Sequence, residues 1–143
     1  MDFGLSEESR AIFEVADSFG AEHIAPHARE WEDAGTIPKA LWPKLAELGF
    51  GGLYVSEASG GTGLSRLDAT LVFEALSRSC ASVAAFLSIH NMCAAMIDRY
   101  GSDALKTRFL GPAIAMETVF SYCLTEPGSG SDAAALRTRA ERT

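Results

Sequence analysis

The residues from Tyr122 to Asp132 combine the side chains and the backbone freedom that a ligand-binding loop needs. The run that leads into this stretch and overlaps its start, Val119–Leu124, is apolar with β-branched and aromatic side chains, which predicts a mostly buried strand. Pro127 ends such a strand, because its nitrogen carries no hydrogen for a neighbouring strand. Gly128 and Gly130 follow, permit positive φ and let the backbone approach a ligand without a Cβ in the way.

Three hydroxyl groups in this stretch are candidate ligand contacts. Thr125, Ser129 and Ser131 carry hydroxyls beside backbone amides, and these suit an acceptor-rich ligand such as a phosphate or the edge of a heterocyclic ring. The same Gly-Ser-Gly-Ser composition is typical of a surface hairpin. Taken alone, these residues leave both a ligand site and an ordinary turn open.

The complete string is more specific than its parts. From Tyr122 to Asp132 it runs Tyr-Cys-Leu-Thr-Glu-Pro-Gly-Ser-Gly-Ser-Asp, and it resembles, at every position, the flavin-contacting signature of the acyl-CoA dehydrogenase family. The likeness extends over nearly the entire chain. It implies a mainly α fold, with a helical N-terminal bundle domain over residues 1–117. Residues 118–143 would then be the first strands of a β-barrel middle domain, present here only in part.

The resemblance also implies FAD as the cofactor. On that likeness Tyr122, Leu124 and Thr125 would line the flavin ring, with the Thr125 hydroxyl and nearby amides bonding its pyrimidine side. Gly130 and Ser131 would lie near the pyrophosphate, and Ser131 also near the CoA end of the substrate. No metal is implied.

The family reaction forms a double bond between Cα and Cβ of an acyl-CoA and passes a hydride to flavin N5. Its glutamate base lies downstream of residue 143 in similar proteins, so no catalytic residue is assigned here and this span alone is expected to be inactive. Glu126, beside Pro127, is interpreted as a structural hydrogen-bond acceptor instead.

A predicted helix from about Ser82 to Tyr100 carries the substrate side of the resemblance. On that likeness Ala85, Ser88 and Met92 would face the acyl tail, which we expect to be short, with a branched chain allowed. An apolar stripe at helical spacing is equally typical of simple core packing, so both interpretations stay open. His90, on the same helix, is interpreted as a hydrogen-bonded structural histidine.

The implied partners are an acyl-CoA substrate, an electron-transferring flavoprotein in the full-length enzyme, and further copies of the chain, since the family forms tetramers. Two alternatives remain: a non-catalytic helical binding or assembly module derived from the same fold, and a portion of an acyl-CoA oxidase, which shares the motif. The expected location is the cytoplasm, or the mitochondrial matrix for a processed eukaryotic protein.

Composition restricts the other partner classes. The 143 residues carry a net charge of −7 with no basic stripe, so nucleic acid is not an expected partner. The weakly polar run 81–97 is interrupted by polar residues, which predicts a buried helix and no membrane span. Cys80, Cys93 and Cys123 lack paired spacing and are expected to be reduced, buried thiols.

Apolar periodicity and capping residues predict the helices that position the site. The predicted elements are a helix after Ser6, a restart at Pro26 through Trp31, and helices over 37–49, 66–79, about 82–100 and 102–110, the last stopped by Gly111-Pro112, with a further turn near Met116. Alternation over 136–141 predicts a half-exposed strand.

Two further motifs are interpreted as structural. Gly60–Gly63 could be a phosphate cradle, but no strand feeds it and no lysine follows, so a loop is predicted. His23 and His27 lie four residues apart without a third ligand nearby, and a solvated helix face is expected rather than a metal site.

Overall fold

The computed structural model describes residues 4–141, and this part of the chain contains six α-helices. They are α1 Glu7–His23, α2 Ala28–Ala34, α3 Leu41–Glu47, α4 Arg66–Ser79, α5 Ala81–Tyr100 and α6 Asp103–Ile114. Short 3-10 turns lie at Phe50–Gly52, Glu57–Ser59 and Ala133–Ala135. The predicted domain ranges 1–117 and 118–143 begin and end outside the described residues, and the boundary between them stays a prediction.

Two predicted serine caps start the first long helices and also join them. Ser6 Oγ accepts a hydrogen bond from the Ser9 amide at 3.0 Å, and Ser65 Oγ accepts one from the Asp68 amide at 3.1 Å. The Asp68 carboxylate receives the Ser65 hydroxyl at 2.5 Å and the Ser9 hydroxyl at 2.7 Å. These two hydroxyls lower the pKa of Asp68 below its usual value. The same carboxylate thus fixes the start of α1 against the start of α4.

The main core lies between α1, α3, α4 and the first half of α5. Its larger buried members are Phe19, Ile24, Leu41, Leu45, Phe50, Leu53, Val72, Leu76, Val83 and Leu87. A second cluster of Val55, Ala94 and Leu110, with Phe120 packed against it, joins α5 to α6. Because α5 takes part in both clusters, it is the helix on which the rest of the chain is assembled.

Helix α5 is buried on one face only. Its length and apolar content alone would let it cross a membrane, a test that the core helix of a globular domain also passes. Its buried face carries Leu87, His90 and Asn91, and it packs against α4 and α6. Met96 and Tyr100 on the other face are 41% and 74% exposed. The prediction of a buried helix therefore holds for one side, because no other part of residues 4–141 covers the second.

Helix α6 continues through Gly111 and Pro112, so the predicted stop at Leu110 is wrong. Pro112 lies in the last turn, where its fixed φ suits a helix and only one N–H bond is lost. Its carbonyl accepts the amides of Glu117 and Thr118 at 2.9 and 3.1 Å. The chain then reverses at Met116, a buried residue with φ of +53°.

Neither predicted strand forms within residues 4–141. Val119–Leu124 and 136–141 are extended or irregular, and an isolated antiparallel bridge joins Glu126 to Ser129. A strand is defined by hydrogen bonds to a neighbouring strand, and these two segments do not pair with each other. The apolar pattern of 119–124 and the alternating pattern of 136–141 indicate a preference for strand structure, but a strand also needs a neighbouring strand to pair with.

The cysteines are free, as expected, but they are less buried than predicted. Cys80 and Cys93 are half-buried and Cys123 is exposed. Cys80 caps the junction between α4 and α5, while Cys123 lies on the extended segment, whose outer side no described element covers.

Gly51 tests how closely the first buried turn packs on α6. A Cβ at Gly51 would overlap the Ile114 carbonyl, whereas a Cβ at the exposed helical Gly111 would meet nothing. We expect Gly51→Ala to lower the free energy of unfolding by about 1–3 kcal/mol, as overpacking does. Gly111→Ala should raise it by about 0.5–1 kcal/mol. Urea unfolding measures both, and equal effects would contradict the close approach.

Candidate functional site

The site rests on two adjacent buried polar residues of α5, of which the first to consider is Asn91. Its Oδ1 accepts the Leu53 amide at 2.7 Å, and its Nδ2 donates to the Phe50 carbonyl at 2.8 Å and to the Leu87 carbonyl at 3.0 Å. The carboxamide thereby satisfies the backbone of the tight turn that follows Gly49. Buried backbone groups of an irregular segment need such partners.

His90 bonds three other backbone groups. Its Nε2 lies 3.1 Å from the carbonyl oxygens of both Gly51 and Ala113, and its Nδ1 lies 3.2 Å from the Phe120 amide nitrogen. Because an amide N–H can only donate, Nδ1 must accept, and the network assigns the ring proton to Nε2. Burial lowers the pKa of His90, against the smaller opposing effect of the two carbonyls. The imidazole is neutral and structural, in agreement with its interpretation from the sequence.

Phe120 places the signature stretch beside α5. Its ring stacks on the His90 imidazole at 5.6 Å between centroids, and it precedes Tyr122 by two residues. Beyond it the chain is extended, with Tyr122 at 41% exposure, Leu124 half-buried and Thr125 exposed. One side of this extended segment is therefore held to the helices and the other faces outward.

A tight turn follows at Glu126–Ser129. The Glu126 amide donates to the Ser129 carbonyl at 2.9 Å, and the Ser129 amide donates back at 3.1 Å. Ser129 is 5% exposed, and its hydroxyl donates to the Asp132 carbonyl at 2.5 Å. Its expected availability to a ligand is therefore wrong, since both of its donors serve the turn. Thr125 and Ser131 are exposed, and neither hydroxyl makes a hydrogen bond within residues 4–141.

The two glycines of the turn leave space rather than adopt unusual dihedral angles. Neither Gly128 nor Gly130 has a positive φ, and a Cβ at either would meet no atom within 4 Å. The expected use of positive φ is wrong for this segment. The expected close approach to a ligand remains physically possible, because the backbone here is bare and open.

Glu126 closes the loop that follows. Its carboxylate accepts the amides of Arg137 and Thr138 at 2.9 and 2.7 Å, together with the Thr138 hydroxyl. These bonds, the hydroxyl first, lower the pKa of Glu126. The side chain is an ionised structural acceptor, as interpreted from the sequence, and its oxygens are already bonded.

The predicted acyl-contacting residues share one face of α5. Ala85 is exposed, and the half-buried Ser88 donates its hydroxyl to the Ala85 carbonyl at 2.8 Å. Met92 is half-buried and lines a groove of about 460 Å³. The groove is also lined by Tyr54, Arg66, Ala95, Met96, Asp98, Arg99 and Tyr100.

The two predicted groups lie in the same region. Phe120 bonds and stacks on His90, so the stretch that leads to Tyr122 lies beside the helix that carries Ser88 and Met92. Burial, with a smaller contribution from Cys123, raises the pKa of the Cys93 thiol on the same helix. Sequence reasoning missed the link between Phe120 and His90, because 30 residues separate them and no local pattern marks it.

The Gly60–Gly63 stretch is a packed loop, as predicted. Asp98 of α5 accepts the Ser56 amide at 2.9 Å and the Ser59 hydroxyl at 2.5 Å, which holds the preceding turn in place. A Cβ at Gly61 would overlap the Val55 carbonyl. Gly61 allows close packing against Val55, Gly60 and Gly63 adopt positive φ, and no open cradle results.

Comparison with known proteins identifies the family that has this architecture. The family described as "Acyl-CoA dehydrogenase, N-terminal domain" matches residues 6–117. The chain belongs to the acyl-CoA dehydrogenase family. Its resemblance to that family and its mainly α fold, the helical N-terminal domain, are thereby confirmed. The roles of individual residues stay predictions.

Relatives within the acyl-CoA dehydrogenase family cover nearly all of the chain. The stretch 51–101 is predicted to resemble isobutyryl-CoA dehydrogenase. The mitochondrial isobutyryl-CoA dehydrogenase of Bos taurus is 52% identical to this chain, over 97% of this chain and 33% of the bovine protein. The structure of butyryl-CoA dehydrogenase from Megasphaera elsdenii matches with a TM-score of 0.84 at 34% identity, over 96% of this chain and 37% of that one. An FAD complex of PigA matches with a TM-score of 0.84 at 31% identity, over 93% and 36%. The chain spans about a third of the length of these relatives.

Replacing Glu126 tests whether its carboxylate closes the loop. In Glu126→Gln one acceptor oxygen becomes an NH₂ group, which would face either the Arg137 amide or the donors of Thr138, because each carboxylate oxygen serves one of these residues. We expect weaker closure of the loop, seen as several-fold faster hydrogen exchange at those two amides. The control is Glu117→Gln, since Glu117 is exposed and its side chain makes no such bonds within residues 4–141. Unchanged exchange in the Glu126 variant would contradict the closure.

Proposed function

We propose that this chain is the N-terminal portion of an FAD-dependent acyl-CoA dehydrogenase that acts on a short, branched acyl-CoA. The observation that carries the proposal is the open face of the complete family signature. Thr125 and Ser131 expose hydroxyls beside the bare backbone of Gly128 and Gly130, while Ser129 and Glu126 are used to shape the turn. Family membership and 52% identity to a protein named isobutyryl-CoA dehydrogenase support it.

The residues of the signature fit a flavin. FAD, when bound, supplies the acceptor for the hydride that leaves the acyl Cβ. Tyr122, Leu124 and Thr125 would border the ring, with the Thr125 hydroxyl donating to its pyrimidine side. Gly130 and Ser131 would lie at the pyrophosphate. Donors held at the pyrimidine side favour the added negative charge of the reduced ring.

The chain's own residues supply binding and orientation rather than proton transfer. The Glu126 carboxylate already accepts three hydrogen bonds, so it is committed to the loop. We place the base that removes the acyl α proton in the part of the enzyme beyond residue 143. The 143-residue chain alone is then inactive, because a missing general base costs about 10²–10⁴ in rate.

The substrate side of the proposal uses the exposed face of α5. Ala85 and Ser88 would flank the acyl tail, and Met92 at the groove would limit its length. Ser131 would contact the CoA end. The bovine relative named for isobutyryl-CoA supports a short, branched tail.

Partners and location follow the same resemblance. An electron-transferring flavoprotein is the proposed electron acceptor of the full-length enzyme, and the enzyme would assemble from several copies of its chain. The relatives named mitochondrial support the matrix for a eukaryotic protein, and the cytoplasm is proposed for a bacterial one.

Thr125→Val tests the flavin contact in the extended protein, meaning this chain continued to the full length of its relatives. The substitution keeps the shape and removes the hydroxyl, so FAD should bind about 2–10-fold more weakly, as one lost hydrogen bond implies, and its absorption should shift. The control is Thr62→Ala, because the Thr62 hydroxyl bonds the Gly52 and Leu53 carbonyls of the packed loop. FAD titration followed by absorbance measures both. If FAD affinity fell in Thr62→Ala but not in Thr125→Val, the flavin would contact the Gly60–Gly63 loop, and the assignment of Thr125 to the flavin site would be wrong.

Met92→Ala tests the length of the acyl site in the extended protein. Removing the side chain should extend activity to longer acyl-CoAs, with each newly buried methylene contributing about 0.8 kcal/mol. The matched control is Leu67→Ala, a similar truncation at an exposed position of α4. The measurement is kcat/KM across acyl chain lengths, and an unchanged profile in Met92→Ala would return Met92 to ordinary packing.

A further inference from the structure

We infer that His90 is a positioning residue for the flavin-contacting segment, because its Nδ1 holds the Phe120 amide and so sets where Tyr122–Asp132 starts on α5. The inference rests on the proposed function. It assigns to a buried histidine a role toward the cofactor site that it does not touch.

The first argument is the scarcity of other attachments. Within the described part of the chain, residues 119–125 make a single hydrogen bond to the rest of the protein, from the Phe120 amide to His90. The flanking bonds are those of Glu117 and Thr118 to Pro112 on one side and the Glu126–Ser129 turn on the other. The stretch that would border the flavin ring is therefore tied to the helices at one backbone group.

The second argument is that the tie is rigid. The His90 ring has 0% exposure, and its Nε2 is fixed by the carbonyls of Gly51 and Ala113. Phe120 adds its ring, stacked on the imidazole and packed against the cluster of Val55, Ala94 and Leu110. An apolar side chain at position 90 would fill the space but would leave the Gly51 carbonyl and the Phe120 amide without a partner within residues 4–141, whereas the Ala113 carbonyl would keep the Met116 amide.

The third argument is distance along the extended segment. A residue in extended backbone advances about 3.3 Å, so Tyr122 lies about 7 Å and Thr125 about 17 Å beyond Phe120. A shift of Phe120 is carried directly to Tyr122, since no hydrogen bond within residues 119–125 interrupts it. A flavin ring contacted by Tyr122 and Thr125 would sense that shift.

Two substitutions separate the positioning role from the structural one. In Asn the amide oxygen occupies the place of the histidine Nδ1, so His90→Asn keeps an acceptor for the Phe120 amide and loses the donor to Gly51 and Ala113. In Gln the amide nitrogen occupies the place of Nε2, so His90→Gln keeps that donor and loses the acceptor for Phe120. The control is Asn91→Ala, which breaks the neighbouring bonds to Phe50 and Leu53 but none to Phe120.

The experiment compares the three variants in the extended protein. It measures FAD affinity and the flavin absorption spectrum, urea unfolding, and hydrogen exchange at the Phe120 amide. We expect His90→Gln to bind FAD about 3–10-fold more weakly with a shifted spectrum and faster exchange at Phe120, as the loss of one bond implies. His90→Asn and Asn91→Ala should be less stable, with FAD affinity within about twofold of the parent.

The contrary outcomes are distinct. Equal losses of FAD affinity in both His90 variants, in proportion to their stability, would make His90 merely structural and overturn the inference, while FAD binding by the parent would leave the proposed function standing. No FAD uptake by the parent would overturn both. If the His90 variants fail to fold, exchange in the parent decides, since the Phe120 amide should be the slowest of residues 119–125, and fast exchange there overturns the inference.

Discussion

A neutral histidine and an asparagine, adjacent on the central helix, satisfy the buried backbone of the irregular parts of this domain. Asn91 bonds the turn around Phe50–Leu53, and His90 bonds Gly51, the end of α6 at Ala113 and the extended segment at Phe120. Irregular backbone in a core needs such partners, because unbonded N–H and C=O groups are costly there. Three separate stretches of chain thus converge on two side chains, and the helices α4 and α6 pack around the result.

The signature segment takes its starting position from His90. Its start is fixed at Phe120, its turn is closed by Glu126 and Ser129, and its remaining donors face outward. The polar residues of the motif therefore divide into two groups. Glu126 and Ser129 use their hydrogen bonds to shape the turn, whereas the exposed hydroxyls of Thr125 and Ser131 make none within residues 4–141. This division means that one short motif contains both residues that shape its turn and residues whose hydroxyls remain unbonded.

Local features of the fold were predictable from the sequence, and features that depend on distant partners were not. The serine caps of α1 and α4 act within three residues, so Ser6 and Ser65 were identified directly. The end of α6 was misplaced, because Pro112 lies within the helix and the helix continues two residues past it, to Ile114. The strand at Val119–Leu124 was expected from preference alone, and its pairing partner is not in residues 4–141. For the site, His90 was recognised as structural, but its bond to Phe120 spans 30 residues and leaves no mark in the local sequence.

The most direct test of this account is the protonation of one ring. ¹⁵N NMR of the histidine-labelled extended protein at neutral pH, with His90 assigned by comparison with His90→Gln, distinguishes the two neutral tautomers and the imidazolium. The account predicts a neutral His90 with its proton on Nε2, bonded to Gly51 and Ala113, and with Nδ1 accepting from Phe120. A proton on Nδ1, or a charged ring, would contradict it, since Nδ1 could then not accept the Phe120 amide and hold the start of the signature segment.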